Sequence, residues 1–267
     1  TASNNTAVGM DALTAITTGA NNTAVGLQAG AALIDADYNV AVGEGALGAD
    51  TYGSNSTAIG RLALAQQNFT SATNSENTAV GYIAGYSVST GTHNTLIGMA
   101  SGDAITTGGS NTAVGTFSLS GNTTASNNTA VGYQSMLLNT TGTRSVAVGY
   151  AALTTNTTGS YNTALGDIAL YLNTTGAQNV AVGTGCLENT TTGATNTSVG
   201  TSAGNVITTG ANNTVIGASA NQVTTTGNSN TMIGMLARAS GTGTTSEIVV
   251  GYNSVAKGTN TGFINAA

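Results

Sequence analysis

The sequence predicts an all-β fold, a parallel β-solenoid of about fifteen coils with 17 residues each. Three observations predict it. A glycine recurs at Gly9, Gly26, Gly43, Gly60, Gly81, Gly98, Gly115, Gly132, Gly149, Gly166, Gly183, Gly200, Gly217, Gly234 and Gly251, every step being 17 except the 21 between Gly60 and Gly81. β-Branched residues alternate with small ones just before each glycine. The composition is also unlike that of a globular domain, with 5% charged residues, 38 glycines among 267 residues and no proline or tryptophan. A fixed period that covers nearly the whole chain decides the architecture before local propensity does.

Each element follows when positions are counted from the repeat glycine as zero. Position −1 is Val, Ile or Leu in all fifteen copies, and −3 is Thr in eleven and otherwise Val40, Val146, Val180 or Ile248. Two such residues two apart share one face of a strand, and that face is expected to be the core. Position −2 is Ala ten times and otherwise Leu96, Ser198, Val215, Met232 or Val249. It never carries a charge, so the second face is expected to be covered as well. Position −4 is Asn in twelve copies, with Ser56, Ser145 and Glu247 as exceptions. In-register amides there predict an Asn ladder at a corner with left-handed backbone. The glycine supplies the next corner. A small residue at +3, Leu at +4 in Leu13, Leu47, Leu64, Leu119, Leu153, Leu170 and Leu187, and a frequent TTG predict a second wall, then a further strand and a turn.

Residues 1–251 read as the array, with four extra residues within 61–80 expected to bulge outward, and 252–267 as its end or a transition to a following domain. The chain opens inside a repeat, TASNNTAVG, and more chain or another subunit is expected to continue each end. A net charge of −6, with only Arg61, Arg144, Arg238 and Lys257 as cations, argues against nucleic acid and anionic membranes as partners. No apolar run approaches the roughly 20 residues of a membrane-spanning helix. Cys186, the one cysteine, occupies a +3 slot that is otherwise Ala or Ser, and is expected to be a small buried side chain.

The repeat also says which residues are neighbours, because matching positions in successive copies lie one coil apart. Glu44 and Arg61 share +1, and Glu76 and His93 share −5, so both are expected to pair on the surface. Asp35, Asp37, Glu44 and Asp50 form the one acidic cluster, but at offsets +9, +11, +1 and +7 they fall on different edges of the coil. No catalytic, metal or cofactor site is assigned, and the chain is expected not to be an enzyme. The candidate recognition residues are Tyr133 and Tyr150, which share +1, Arg144 and Tyr161, which share −5, and Phe69 in the insertion. A tyrosine row can stack on sugar rings, Arg over Tyr is a cation–π pair, and loops on a rigid scaffold often carry recognition.

SVAVG at 145–149 and NVAVG at 179–183 resemble the head repeats of trimeric autotransporter adhesins. The longer NNTAVGYQSMLLNTTG at 127–142 and the closing EIVVGYNSVAKGTNTGFINAA at 247–267 are similar to arrays in bacteriophage tail fibres. The resemblance implies a left-handed, homotrimeric solenoid in a virion tail fibre or other surface appendage, without catalysis, that contacts a cell-surface glycan or protein receptor. In such a trimer the alanines at −2 are expected to form the seam between chains. The alternatives are an ice-binding solenoid, for which ranked Thr is the signal, and a glycan-depolymerising tailspike.

Overall fold

The computed structural model describes residues 1–265 and, among them, contains eighteen β-strands and no helix. The chain forms two compact units, Thr1–Tyr133 and Gln134–Ala267.

The first unit holds β1 (Thr6–Val8), β2 (Thr23–Val25), β3 (Val40–Val42), β4 (Gly53–Ser54), β5 (Thr57–Ile59), β6 (Thr73–Asn74), β7 (Thr78–Val80), β8 (Thr95–Ile97), β9 (Thr112–Val114) and β10 (Thr129–Val131). β4 and β6 pair in parallel as a separate two-stranded sheet, and the other strands pair in parallel, each with its copy one coil on and in strict register, as in Ala24 against Ala41 and Ala41 against Ala58. The second unit repeats the arrangement with β11 (Val146–Val148), β12 (Thr163–Leu165), β13 (Val180–Val182), β14 (Thr197–Val199), β15 (Thr214–Ile216), β16 (Thr231–Ile233), β17 (Ile248–Val250) and β18 (Gly262–Ile264). The solenoid is thus the expected one, but each coil carries one three-residue strand in its main sheet. TTG is a bend rather than a strand, and the N–H groups of Thr157, Thr158 and Gly159 all converge on the carbonyl of Thr174 in the next coil.

The faces of the strand are inverted relative to expectation. Position −2 points into the coil and is buried in every copy after the first, from Ala24 to Val249. Positions −3 and −1 point outward and are half-buried or exposed. A coil of only 17 residues encloses a narrow interior, and alternating residues cannot both enter it. The smaller residue goes inside, where it meets the buried +3 row and the expected leucines at +4, all seven of which are buried. The alanines therefore belong to the core of the chain rather than to a seam between chains.

Position +7 supplies the last interior row, with buried Leu33, Val88, Ile105 and Ile207 in some coils and amides in others. Asn139, Asn156 and Asn173 stack there, Asn156 Nδ2 donating to Asn139 Oδ1 at 2.7 Å and Asn173 Nδ2 to Asn156 Oδ1 at 2.8 Å. The row ends where Thr190 turns its hydroxyl to the carbonyl of Ile207, which leaves Asn173 Oδ1 without a donor.

The amides at −4 form the predicted ladder in both units. Asn39 Nδ2 donates to Asn22 Oδ1 at 3.1 Å and to the carbonyl of Gly53 at 2.9 Å, while its backbone N–H donates to the same Asn22 Oδ1 at 2.9 Å. The left-handed corner, however, lies one residue earlier. All fifteen residues at −5 have φ between +50° and +64°, including Tyr38, His93, Arg144, Tyr161 and the β-branched Thr195. Such backbone is costly outside glycine. It holds because the following N–H, displaced from any strand partner, finds the asparagine Oδ1 of the coil before.

The repeat glycine has no substitute. Gly166 sits at φ +140°, and a Cβ there would stand 2.6 Å from the carbonyl carbon and oxygen of Gly183. At the end of the array β18 pairs with β17 after a shortened coil, with Val249 against Phe263, so residues 252–265 continue the sheet. Ala266 and Ala267, the end of the stretch expected to close the array, lie outside the described residues.

Two stability outcomes follow. Gly166→Ala is expected to cost about 3 kcal/mol or more, because backbone strain and a backbone clash coincide; a urea midpoint within experimental error of the parent would contradict the stacking. Ser198, the one hydroxyl at −2, is buried with no partner for its Oγ, so Ser198→Ala is expected to raise stability by about 1 kcal/mol on the same scale.

Candidate recognition surface

The sheet of each unit turns two ranks of β-branched side chains outward. At −1 the exposures are 36% for Val25, 39% for Ile59 and Ile97, 38% for Val199 and 40% for Ile216. At −3 stands a parallel rank that is mostly Thr, two residues away on the same face. Because neighbouring strands pair in register, like sits on like: Ile216 is opposite Ile233, and Thr214 is opposite Thr231. From β1 to β17 these two ranks carry no charge and no glycine, and their outward orientation was hidden in the sequence because the larger residues read as core. The signal that could have found it is size, since ten alanines at −2 fit a narrow interior better than branched residues do.

Around this face the expected surface pairs are present. Arg144 Nη1 donates to Tyr161 Oη at 2.6 Å, and its guanidinium lies 5.5 Å from the ring centroid. Both residues occupy the left-handed −5 corner, which throws their side chains into solvent. Arg61 lies 3.0 Å from Glu44 and 5.8 Å from the ring of Tyr82, a partner not expected from the sequence. His93 Nε2 is 3.3 Å from Glu76, and its Nδ1 is 2.9 Å from Thr92 Oγ1. Tyr133 packs edge-on against Phe117 with centroids 6.5 Å apart in the first unit. Tyr150 belongs to the second unit and is more than half exposed.

Phe69 is a correction. It is 6% exposed, so it is not a recognition residue at the surface. Gln67, Phe69 and Ser75 turn inward about a buried carboxylate, while Thr70, Ser71 and Ala72 stay exposed as the projecting part of the insertion. Asp50 Oδ1 accepts from the N–H groups of Gly53 and Phe69 at 3.0 and 3.1 Å, and Oδ2 accepts from Gln67 Nε2 at 2.6 Å. Gln67 in turn reaches Ser56 and Ser75 and accepts from Asn77, while β4 and β6 pair in parallel beside them. A polar cluster thus replaces at +7 the apolar side chains that Leu33 and Val88 supply in the coils on either side. Burial of a charge is tolerable there because three donors face it.

The other acids go to separate partners. Asp35 accepts from Thr18 Oγ1 and Asp37 from the N–H of Ala20, both at 2.7 Å, and Glu44 pairs with Arg61. Cys186 is buried, donates its thiol to the carbonyl of Ser198 at 3.2 Å, and is pushed by that burial up to about 12. A thiol so placed is a packing group rather than a nucleophile.

Asp50→Ala would leave two buried N–H groups and an amide without their acceptor. It is expected to destabilise the first unit by about 2 to 4 kcal/mol and to expose 65–77 to proteolysis; unchanged digestion would show that the cluster does not hold the insertion.

No protein-family model matches this chain, and neither does any curated protein.

Proposed function

We propose that the chain is a non-enzymatic structural segment of a fibre, which assembles with two further copies of itself through the outward −3 and −1 ranks. The observation that carries this reading is the uncharged, mostly β-branched outward face that each unit presents. A sheet that is apolar on both faces is usually covered on both, and a contiguous exposed apolar patch marks an interaction site. Three identical flat faces around one axis cover one another in a closed ring and leave no free edge for further growth.

The resemblance of the NTAVG-type repeats to phage tail fibres and adhesin heads supports the same assembly, and with it a place on a virion or other surface appendage that attaches to a host. Parallel strands bonded coil to coil suit a load-bearing role. Low surface charge limits nonspecific adhesion, leaving contact to a few side chains such as the Arg144–Tyr161 pair.

The outward Thr rank favours one second reading. A flat array of hydroxyls and methyls at regular spacing along a parallel sheet is also the form of an ice-binding face, and in a monomer that face would be free.

Sedimentation equilibrium separates the two. About three times the 25.9 kDa chain mass is expected, falling to one chain in Val182→Lys/Ile216→Lys, which places two charges on the outward rank, with the circular dichroism unchanged. A monomeric parent would overturn the trimer, and thermal hysteresis in that monomer would establish ice binding in its place.

A further inference from the structure

Leu62, Tyr82, Ile83, Tyr86, Ser87, Asp103 and Ala104 line a cleft of about 360 Å³ in the first unit. That volume is at the small end of pockets that hold small ligands, roughly 300–1,000 Å³. The cleft exists because three successive coils place dissimilar residues at the same outward slots. At +5 the order is Tyr86, Asp103, Ser120, and at +1 Arg61 is followed by Tyr82.

The chemistry of the lining is specific. Tyr82 and Tyr86 offer two aromatic groups from one coil, and Leu62, Ile83 and Ala104 add apolar surface between them. Asp103 commits Oδ1 to the hydroxyl of Ser120 and keeps Oδ2 available. Arg61 is held by Glu44 and by the ring of Tyr82, so its charge is already matched. A ligand that suits such a cleft has an apolar face for the rings and adjacent hydroxyl donors for one carboxylate. An anionic ligand would meet Asp103 unopposed.

We propose that this cleft binds one uncharged pyranose unit of a glycan, with the C–H face of the sugar on Tyr82 or Tyr86 and two neighbouring hydroxyls donating to Asp103 Oδ2. The site rests on the attachment reading above and gives it a ligand class. The second unit supplies an internal control. Tyr171 and Glu188 occupy the same +5 slots in successive coils, but the coil of Tyr171 has Asp167 rather than an aromatic residue at +1.

Saturation-transfer NMR on the whole chain tests the site, with the methyl glycosides of glucose, galactose, mannose and N-acetylglucosamine and with N-acetylneuraminic acid as probes. At least one neutral glycoside should receive saturation, strongest at its ring C–H protons, and the acid should receive none. Tyr86→Ala and Asp103→Asn should each weaken the signal about tenfold or more, and Tyr171→Ala should leave it unchanged at equal thermal stability. Transfer to no neutral glycoside, preference for the acid, or indifference to both Tyr86→Ala and Asp103→Asn would overturn the proposal. Because native mass is read separately by sedimentation, failure here with a trimer intact removes the glycan site alone, and failure of the trimer leaves the NMR result to stand by itself.

Discussion

The structure depends on the asparagine ladder at −4. A coil of 17 residues turns sharply just before its strand in the main sheet, and it does so with a left-handed residue at −5 that is never glycine. The turn carries the next N–H out of reach of an ordinary strand partner. Asparagine Oδ1 from the preceding coil accepts that N–H and the amide of the next asparagine, while Nδ2 satisfies the carbonyl at +10 across the interior, as Asn196 does with Asn179 and Gly210. A buried backbone donor left without a partner would cost as much as a lost hydrogen bond at every coil. One side chain per coil thus removes the penalty that would otherwise forbid so tight a turn. The exceptions obey the same need: Ser145 offers its hydroxyl to the N–H of Asn162 at 3.1 Å, and Glu247 still receives Asn230 Oδ1 at its own N–H.

Given that corner, the width of the interior follows, and width decides which side chains enter. Ala at −2, a small residue at +3 and Leu at +4 fill the coil in layers, with +7 closing the last gap. Where +7 changes from leucine or isoleucine to an amide or acid, the neighbouring coils change with it, as in the Asn139–Asn156–Asn173 row and the cluster around Asp50. Stacking makes each row a unit, so a polar residue is stable when its neighbours along the row are polar too, and leaves an orphan where the row ends. Asn173 Oδ1 is such an end.

Much of this was legible in the sequence because the repeat turns one coil into fifteen observations. The period gave the solenoid, the +4 leucines the core wall, −4 the ladder, and shared offsets the Glu44–Arg61, Glu76–His93 and Arg144–Tyr161 neighbours. The facing of the strand was not legible, because alternation says only that −2 opposes −1 and −3, and hydrophobicity alone favoured the larger residues for the interior. Phe69 and Asp50 were misplaced for a related reason. Phe69 lies in the one coil that departs from the period, where offsets no longer report neighbours; Asp50 lies in a regular coil and stacks on Gln67 at the shared +7 offset, but a buried carboxylate reads like a surface one until its donors are known. The cleft at Tyr82, Tyr86 and Asp103 escaped notice because it spans three coils and two offsets, so no single column of the repeat reveals it.

The left-handed corner at −5 has a further consequence. Asparagine, tyrosine, arginine, histidine, glutamate, serine, glutamine and threonine all occupy it with nearly the same backbone, so the fold is indifferent to what is displayed there. The outward slots at −5, +1 and +5 behave as independent characters printed on an invariant frame, one set per coil. A lineage can rewrite them singly, or duplicate a coil and edit the copy, and change what the surface meets while the folding problem stays solved.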